Sequence, residues 1–130
     1  MSLELGLKGR AETTVVESNT AAAVGSGLVP VFATPYMIAL MENSAVNAVN
    51  DRLEARQGTV GTHLNVSHEA ATPIGMKVWA EALLTEVEGK RLVFEVTAYD
   101  EAGVIGRGSH ERFIINTEKF LAKCEAKKKA

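Results

Sequence analysis

The hydrophobic period of this chain changes at Gly58, from about 3.6 residues in the stretch before it to 2 in the stretch after it. Few folds accept such a switch. Before it, Thr34 is a candidate N-cap and Pro35 suits the first helical position. From there Ile38, Met41, Ala45, Val49 and Leu53 recur at spacings of three and four, predicting a helix through about residue 56, with Gly58 as its stop. About 20 residues at 1.5 Å each make this helix roughly 30 Å long, as long as a small domain is wide.

After the switch, alternation predicts strands over 59–68, 76–87, 91–99 and 104–116. Val60, Leu64 and Val66 share one parity of the first, opposite Thr59, His63, Asn65 and Ser67. Val78, Ala80, Ala82 and Leu84 form the inward set of the second, and Leu92, Phe94, Val96 and Ala98 that of the third. Glu88-Gly89-Lys90 and Asp100 to Gly103 read as hairpin connections. Residues 11–17 form a β-prone stretch at the front, and 21–33, with Gly25, Gly27 and Pro30, reads as a mobile loop. Thr117 is a cap for a last helix that frays into Lys127-Lys128-Lys129. The order is strand, long helix, four consecutive antiparallel strands and a C-terminal helix. This predicts an α+β fold in which an antiparallel sheet of about five strands wraps one long central helix, the hotdog architecture.

The 130 residues suit one domain spanning 1–130. Fourteen basic against 16 acidic side chains, net −2, give no electrostatic footprint for nucleic acid. No apolar run approaches the roughly 20 residues that span a bilayer, so no membrane partner is expected. The start, MSLELGLKGRAETTV, lacks the pattern of a secretory signal, and Cys124 is the one cysteine. The expectation is a cytoplasmic protein.

Three side chains could carry chemistry. His68 shares the parity of Leu64 and Val66 at the end of its strand, which makes it a hydrogen-bonded core residue or a working base, with an imidazole suited to proton transfer at neutral pH. Glu42 lies eight residues after Thr34, about 80° round the helix axis from it. Read alone, one is a solvated helix carboxylate and the other a cap. His110 could line a cavity or make a structural hydrogen bond, and His63 has surface parity. No histidine spacing suggests a metal site, Gly103, Gly106 and Gly108 precede no helix and form no phosphate loop, and the lysine tail is a solvated terminus.

Pro30-Val31-Phe32-Ala33-Thr34, Leu40-Met41-Glu42, Gly61-Thr62, Val66-Ser67-His68, Ala70-Ala71-Thr72-Pro73, Ser109-His110-Glu111-Arg112 and Glu118-Lys119-Phe120, in this order and spacing, resemble the fluoroacetyl-CoA thioesterase-like family of hotdog enzymes. The resemblance covers most of residues 30–123. It implies hydrolysis of an acyl-CoA to free acid and CoA without metal or cofactor, with Thr34, Glu42 and His68 as the catalytic set. It also implies Gly61 as a backbone contact to the thioester carbonyl and Arg112 beside the catalytic water. Phe32 and Leu28 fall at substrate-facing positions. The family's namesake has gate phenylalanines where this chain has Gly25 and Leu28, so the expected substrate is a short or medium acyl-CoA, not fluoroacetyl-CoA alone. A homodimer is expected, since such sheets complete their burial edge to edge, and pairing into a dimer of dimers stays open. The alternative on this fold is a non-catalytic module binding acyl-CoA or an acyl-carrier protein, in which Glu42 and His68 lie too far apart to share a substrate. A dehydratase is the third reading.

Overall fold

The computed structural model describes residues 3–129. Strand β1 (Lys8–Thr14) is followed by a 3₁₀ turn (Glu17–Asn19), a short helix α1 (Ala21–Val24) and the long helix α2 (Thr34–Val49). Then come β2 (Gln57–His68), β3 (Lys77–Glu88), β4 (Arg91–Asp100), β5 (Gly103–Asn116) and the C-terminal helix α3 (Thr117–Glu125). The strands form one antiparallel sheet in the order β1-β3-β4-β5-β2, curled round α2 in the expected hotdog arrangement. The four later strands are not a simple meander: β3, β4 and β5 are, but β2 crosses to the far side of β5 and becomes an edge. Among the described residues no helix is long and apolar enough to cross a membrane.

Helix α2 begins one residue earlier in its capping than the sequence suggests. Ala33 is the N-cap, in extended conformation and without a side-chain cap, while Thr34 already lies in the first turn beside Pro35. The hydroxyl of Thr34 is thereby released from capping. The helix ends at Val49 and gives way to a 3₁₀ turn (Asn50–Arg52), so its 16 residues span about 24 Å. Leu53 continues the spacing but not the helix, and Gly58 is no helix stop, since it already pairs with Ile115 in the sheet. Beyond the expected Met41, Ala45 and Val49, the buried face includes Met37, Leu40, Ser44 and Ala48. Small residues at 44, 45 and 48 let the helix lie against the backbone of β1 at Gly9. On the sheet, Val78, Ala80, Ala82, Leu84, Leu92, Phe94, Val96 and Ala98 are buried, the set that alternation predicted.

The region read as a loop at 21–33 holds α1, capped by Thr20, and two isolated bridges, Thr20 to Phe32 and Val31 to Pro73. The last helix is capped by Asn116, whose side chain accepts from the Lys119 N–H, and not by Thr117. Strand β1 starts at Lys8, three residues before the predicted stretch, because its backbone pairs with β3 from Leu83 onward.

A bulge at Thr62 in β2 decides which side chains of this strand face the helix. The β2–β5 register shifts between Gly61 and His63, and an extra residue exchanges the two faces of a strand. Leu64, Val66 and His68 face inward after it, as expected. Before it the parity is reversed: Thr59 and Gly61 face inward opposite Ile114 and Arg112, and Val60 faces outward opposite Phe113.

Candidate active site

The fold places the candidate residues in two groups, one at each end of β2. At the first, the start of α2 meets the end of β2, and Thr34 Oγ1 lies 2.7 Å from His68 Nδ1. The loop carrying Thr34 is pinned through backbone bonds: Ala33 N–H donates to the Asn19 carbonyl at 3.0 Å and Phe32 N–H to the Thr72 carbonyl at 2.9 Å. Thr72 is in turn held by its hydroxyl, which donates to the buried Asp100 carboxylate at 2.7 Å. His68 Nε2 is buried without a hydrogen-bond partner among the described residues. Burial pushes the imidazole below its ordinary pKa, with the backbone at Ala70 pulling the other way, so the ring is neutral at neutral pH. A hollow of about 320 Å³ opens beside the pair, lined by Val29, Val31, Phe32, Thr34, His68 and Ala70 among others. Phe32 is buried under it, whereas Leu28 is 96% exposed and not among the lining residues.

At the other group, Glu42 projects from the middle of α2 over Gly61. A β-carbon at residue 61 would lie 2.7 Å from Glu42 Oε2, 3.2 Å from the His110 ring and 3.3 Å from Arg112 Nη1. Glycine is what lets these groups converge on the strand. Arg112 Nη1 stands 3.8 Å from Glu42 Oε2, with the arginine side chain 7% exposed and the glutamate 37%. The guanidinium is fixed from behind: Nε donates to Thr59 Oγ1 at 2.8 Å and Nη2 to the Thr59 carbonyl at 2.9 Å. His110, fully buried, completes the cluster through contacts with Arg112 and the His63 carbonyl. Burial pushes His110 below the ordinary imidazole value, opposed by its backbone bond at His63, and also lowers Arg112, with Glu42 opposing. His63 itself is exposed, as its parity predicted.

Thr34 and His68 are thus together, and Glu42, Gly61 and Arg112 are together, but the two groups are separate within a chain. Gly61 and His68 are seven residues apart on β2, about 20 Å of strand. Thr59 is hidden from sequence reading by the bulge, since simple alternation sets it on the solvent face.

The half-buried His68 and the buried His110 make stability depend on pH. Their folded pKa values lie below the ordinary 6.5, so in the window beneath that value the unfolded chain binds more protons than the folded one. The stabilisation is complete above the unfolded pKa and is lost as pH falls through the folded values. The melting temperature is therefore expected to fall as pH is lowered through and below 6.5, and to fall less in a His68→Gln, His110→Gln double variant. Equal slopes in thermal unfolding of the two proteins contradict this assignment.

Comparison with known proteins bears on this geometry. The family described as fluoroacetyl-CoA-specific thioesterase matches residues 15–118. The fluoroacetyl-CoA thioesterase of Streptantibioticus cattleyicolor is 47% identical over 97 residues, covering 75% of this chain and 70% of that protein. A solved structure of the fluoroacetyl-CoA thioesterase FlK superposes with a TM-score of 0.92 at 37% identity, covering 98% of each chain. A single-residue variant of FlK in complex with fluoroacetate and CoA gives 0.85 at 37% identity, covering 91% of this chain and 99% of that one.

Proposed function

The chain belongs to the fluoroacetyl-CoA-specific thioesterase family and is an acyl-CoA thioesterase, and we propose that its site forms between two copies, with Glu42 from one subunit and Thr34 and His68 from the other. The observation that carries this reading is the separation of the two groups along β2, combined with the place of β2 in the sheet. Its 12 residues form an edge with β5 on one side and, among the described residues, no strand on the other. Such an edge invites pairing with a second copy. An antiparallel β2–β2 pair about a two-fold axis at Asn65 sets Leu64 opposite Val66 of the partner subunit, and the bulge at Thr62 then brings Gly61 of one subunit opposite His68 of the partner subunit. Each dimer then holds two composite sites, and the substrate's thioester lies between a carboxylate and an imidazole. The unit that works is a homodimer.

The residue types suit thioester hydrolysis. With the Thr34 hydroxyl donating to Nδ1, the neutral His68 ring carries its proton on Nε2, the atom left unpartnered, and can donate to the thioester carbonyl oxygen. The Gly61 backbone approaches the same carbonyl without an intervening side chain. Glu42 is partly exposed, with the Arg112 guanidinium 3.8 Å from its carboxylate. Two routes fit it: attack on the carbonyl carbon, or removal of a proton from the attacking water. Either way the acyl–sulfur bond breaks and the thiolate leaves as CoA thiol after taking a proton; in the first route water then cleaves the acyl–Glu42 anhydride to release the acid.

The hollow beside His68 suits a short or medium acyl chain. Gly25 carries no side chain and Leu28 stands in solvent outside the hollow, so neither position supplies a bulky side chain over the acyl group. We place fluoroacetyl-CoA among the substrates without selectivity for it, and the enzyme in the cytoplasm, where CoA thioesters are made. Thiol release from acetyl-CoA, fluoroacetyl-CoA and hexanoyl-CoA tests this: turnover of all three supports it, and strict preference for fluoroacetyl-CoA overturns the substrate range.

A further inference from the structure

We infer that His110 is a positioning residue of the reaction, a buried neutral imidazole that holds the Arg112 guanidinium at its set-off from Glu42. This rests on the placement of Glu42 in the site. Residues 110 and 112 are two apart on β5 and therefore share its inner face, directly under Glu42 of α2. His110 Nδ1 lies 2.9 Å from the His63 carbonyl oxygen, which can only accept, so Nδ1 carries a hydrogen. Nε2 lies 3.1 Å from Arg112 Nη1, and a guanidinium can only donate, so Nε2 is bare. Both contacts demand the same neutral tautomer. An imidazolium here would turn an N–H toward a guanidinium N–H and set two cations in contact.

Much of the surface around the ring is apolar and disfavours such a proton. Phe94 of β4 stacks on the ring with centroids 6.3 Å apart, and Leu64 of β2 stands opposite it. The charged groups facing it are Arg112 on its own strand and Glu42 on α2. Glu111 lies on the other face of β5, occupied by Arg91, and the His63 side chain points outward. Burial of the ring and the Arg112 charge disfavour the proton, against the His63 carbonyl and the more distant carboxylates.

The consequence lies in Arg112 Nη1, which donates to His110 and stays 3.8 Å from Glu42 Oε2. Without an acceptor at Nε2 nothing offsets the pull of the carboxylate on Nη1, and the whole guanidinium tilts on its Thr59 bonds to close a direct ion pair, which ties up the electron pair that Glu42 needs as base or nucleophile. The imidazole keeps the cation beside Glu42 but out of a direct ion pair, which leaves the carboxylate free.

The test compares two replacements with acetyl-CoA as substrate. His110→Asn keeps a donor for the His63 carbonyl but loses the acceptor toward Arg112, while His110→Gln places a carbonyl oxygen near the position of Nε2. The expected result for H110N is a fall in kcat on the order of 10- to 100-fold with KM within about twofold, and recovery of most of that loss in H110Q. In an Arg112→Met background, H110N should add no further loss, since the group it positions is gone. Equal losses in H110N and H110Q, a loss confined to KM, or full additivity with R112M overturns the inference. Should H110N melt below assay temperature, the imidazole nitrogen shifts of the wild-type protein decide: a protonated Nδ1 with bare Nε2 at about pH 6 supports it, and an Nε2–H tautomer or imidazolium overturns it. Glu42→Ala tests the underlying site separately, because its activity can vanish whatever His110 does.

Discussion

Glu42→Ala is expected to lower kcat for acyl-CoA hydrolysis by roughly 10²- to 10⁴-fold, with KM nearly unchanged. Glu42 is the one carboxylate of α2, half-buried over Gly61, and Arg112 approaches it without forming a close pair. It touches none of the contacts that hold the core, so its removal should leave the melting temperature within a few degrees of the original. Glu42→Gln makes the stricter comparison, because it preserves shape and hydrogen-bonding reach while removing the charge. A base or nucleophile fails in both variants, whereas a residue that only fills space survives in the second. Activity of E42Q within about twofold of wild type in steady-state thiol release contradicts a chemical role for this carboxylate.

Gly9→Ala is expected to destabilise the fold by about 3 kcal/mol or more and to lower the melting temperature by about 10 °C. A β-carbon at residue 9 would lie 2.8 Å from the Ala48 α-carbon, and closer still to the Ser44 carbonyl oxygen and the Ala48 nitrogen. All three are backbone atoms of α2, so no rotamer change relieves the clash, and either the helix or the strand must move. The helix has nowhere to go, since Met37, Met41, Ala45 and Val49 are fully buried on it. Because α2 also carries Thr34 and Glu42, the same displacement should cost activity. Gly27→Ala serves as the control: its new β-carbon would meet only the Ala21 side chain at 3.4 Å, and thermal unfolding should change little. Similar melting temperatures for G9A and wild type contradict the account of how helix and sheet close on one another.

Much of this arrangement is visible in the residues alone. Alternation in β3 and β4 reads out their buried faces because both strands pair on two sides and carry no bulge before Leu84. Strand β2 resists such reading. Its bulge at Thr62 depends on how it meets β5, and residues 57–68 show no local mark of it, so Val60 looks inward and Thr59 outward when the reverse holds. The helix end is misread for a similar reason: Leu53 happens to fall on the apolar stripe, while the chain leaves the helix at Asn50. At the site, Thr34, Glu42 and His68 are recognisable through family resemblance, but their division into two groups is a property of strand length. The tautomer of His110 requires knowing that a carbonyl stands on one side of the ring and a guanidinium on the other.

The shared site is the central claim, and a mixed dimer tests it most directly. Glu42→Ala and His68→Ala chains, carrying different affinity tags, are co-expressed and the heterodimer is isolated through both tags. If Glu42 of one subunit works with His68 of the other, one composite site in each heterodimer is intact and its partner site lacks both groups. Activity of about half the wild-type value per dimer is then expected, although each variant alone is inactive. A heterodimer as inactive as its two parents contradicts the account and returns the site to a single chain.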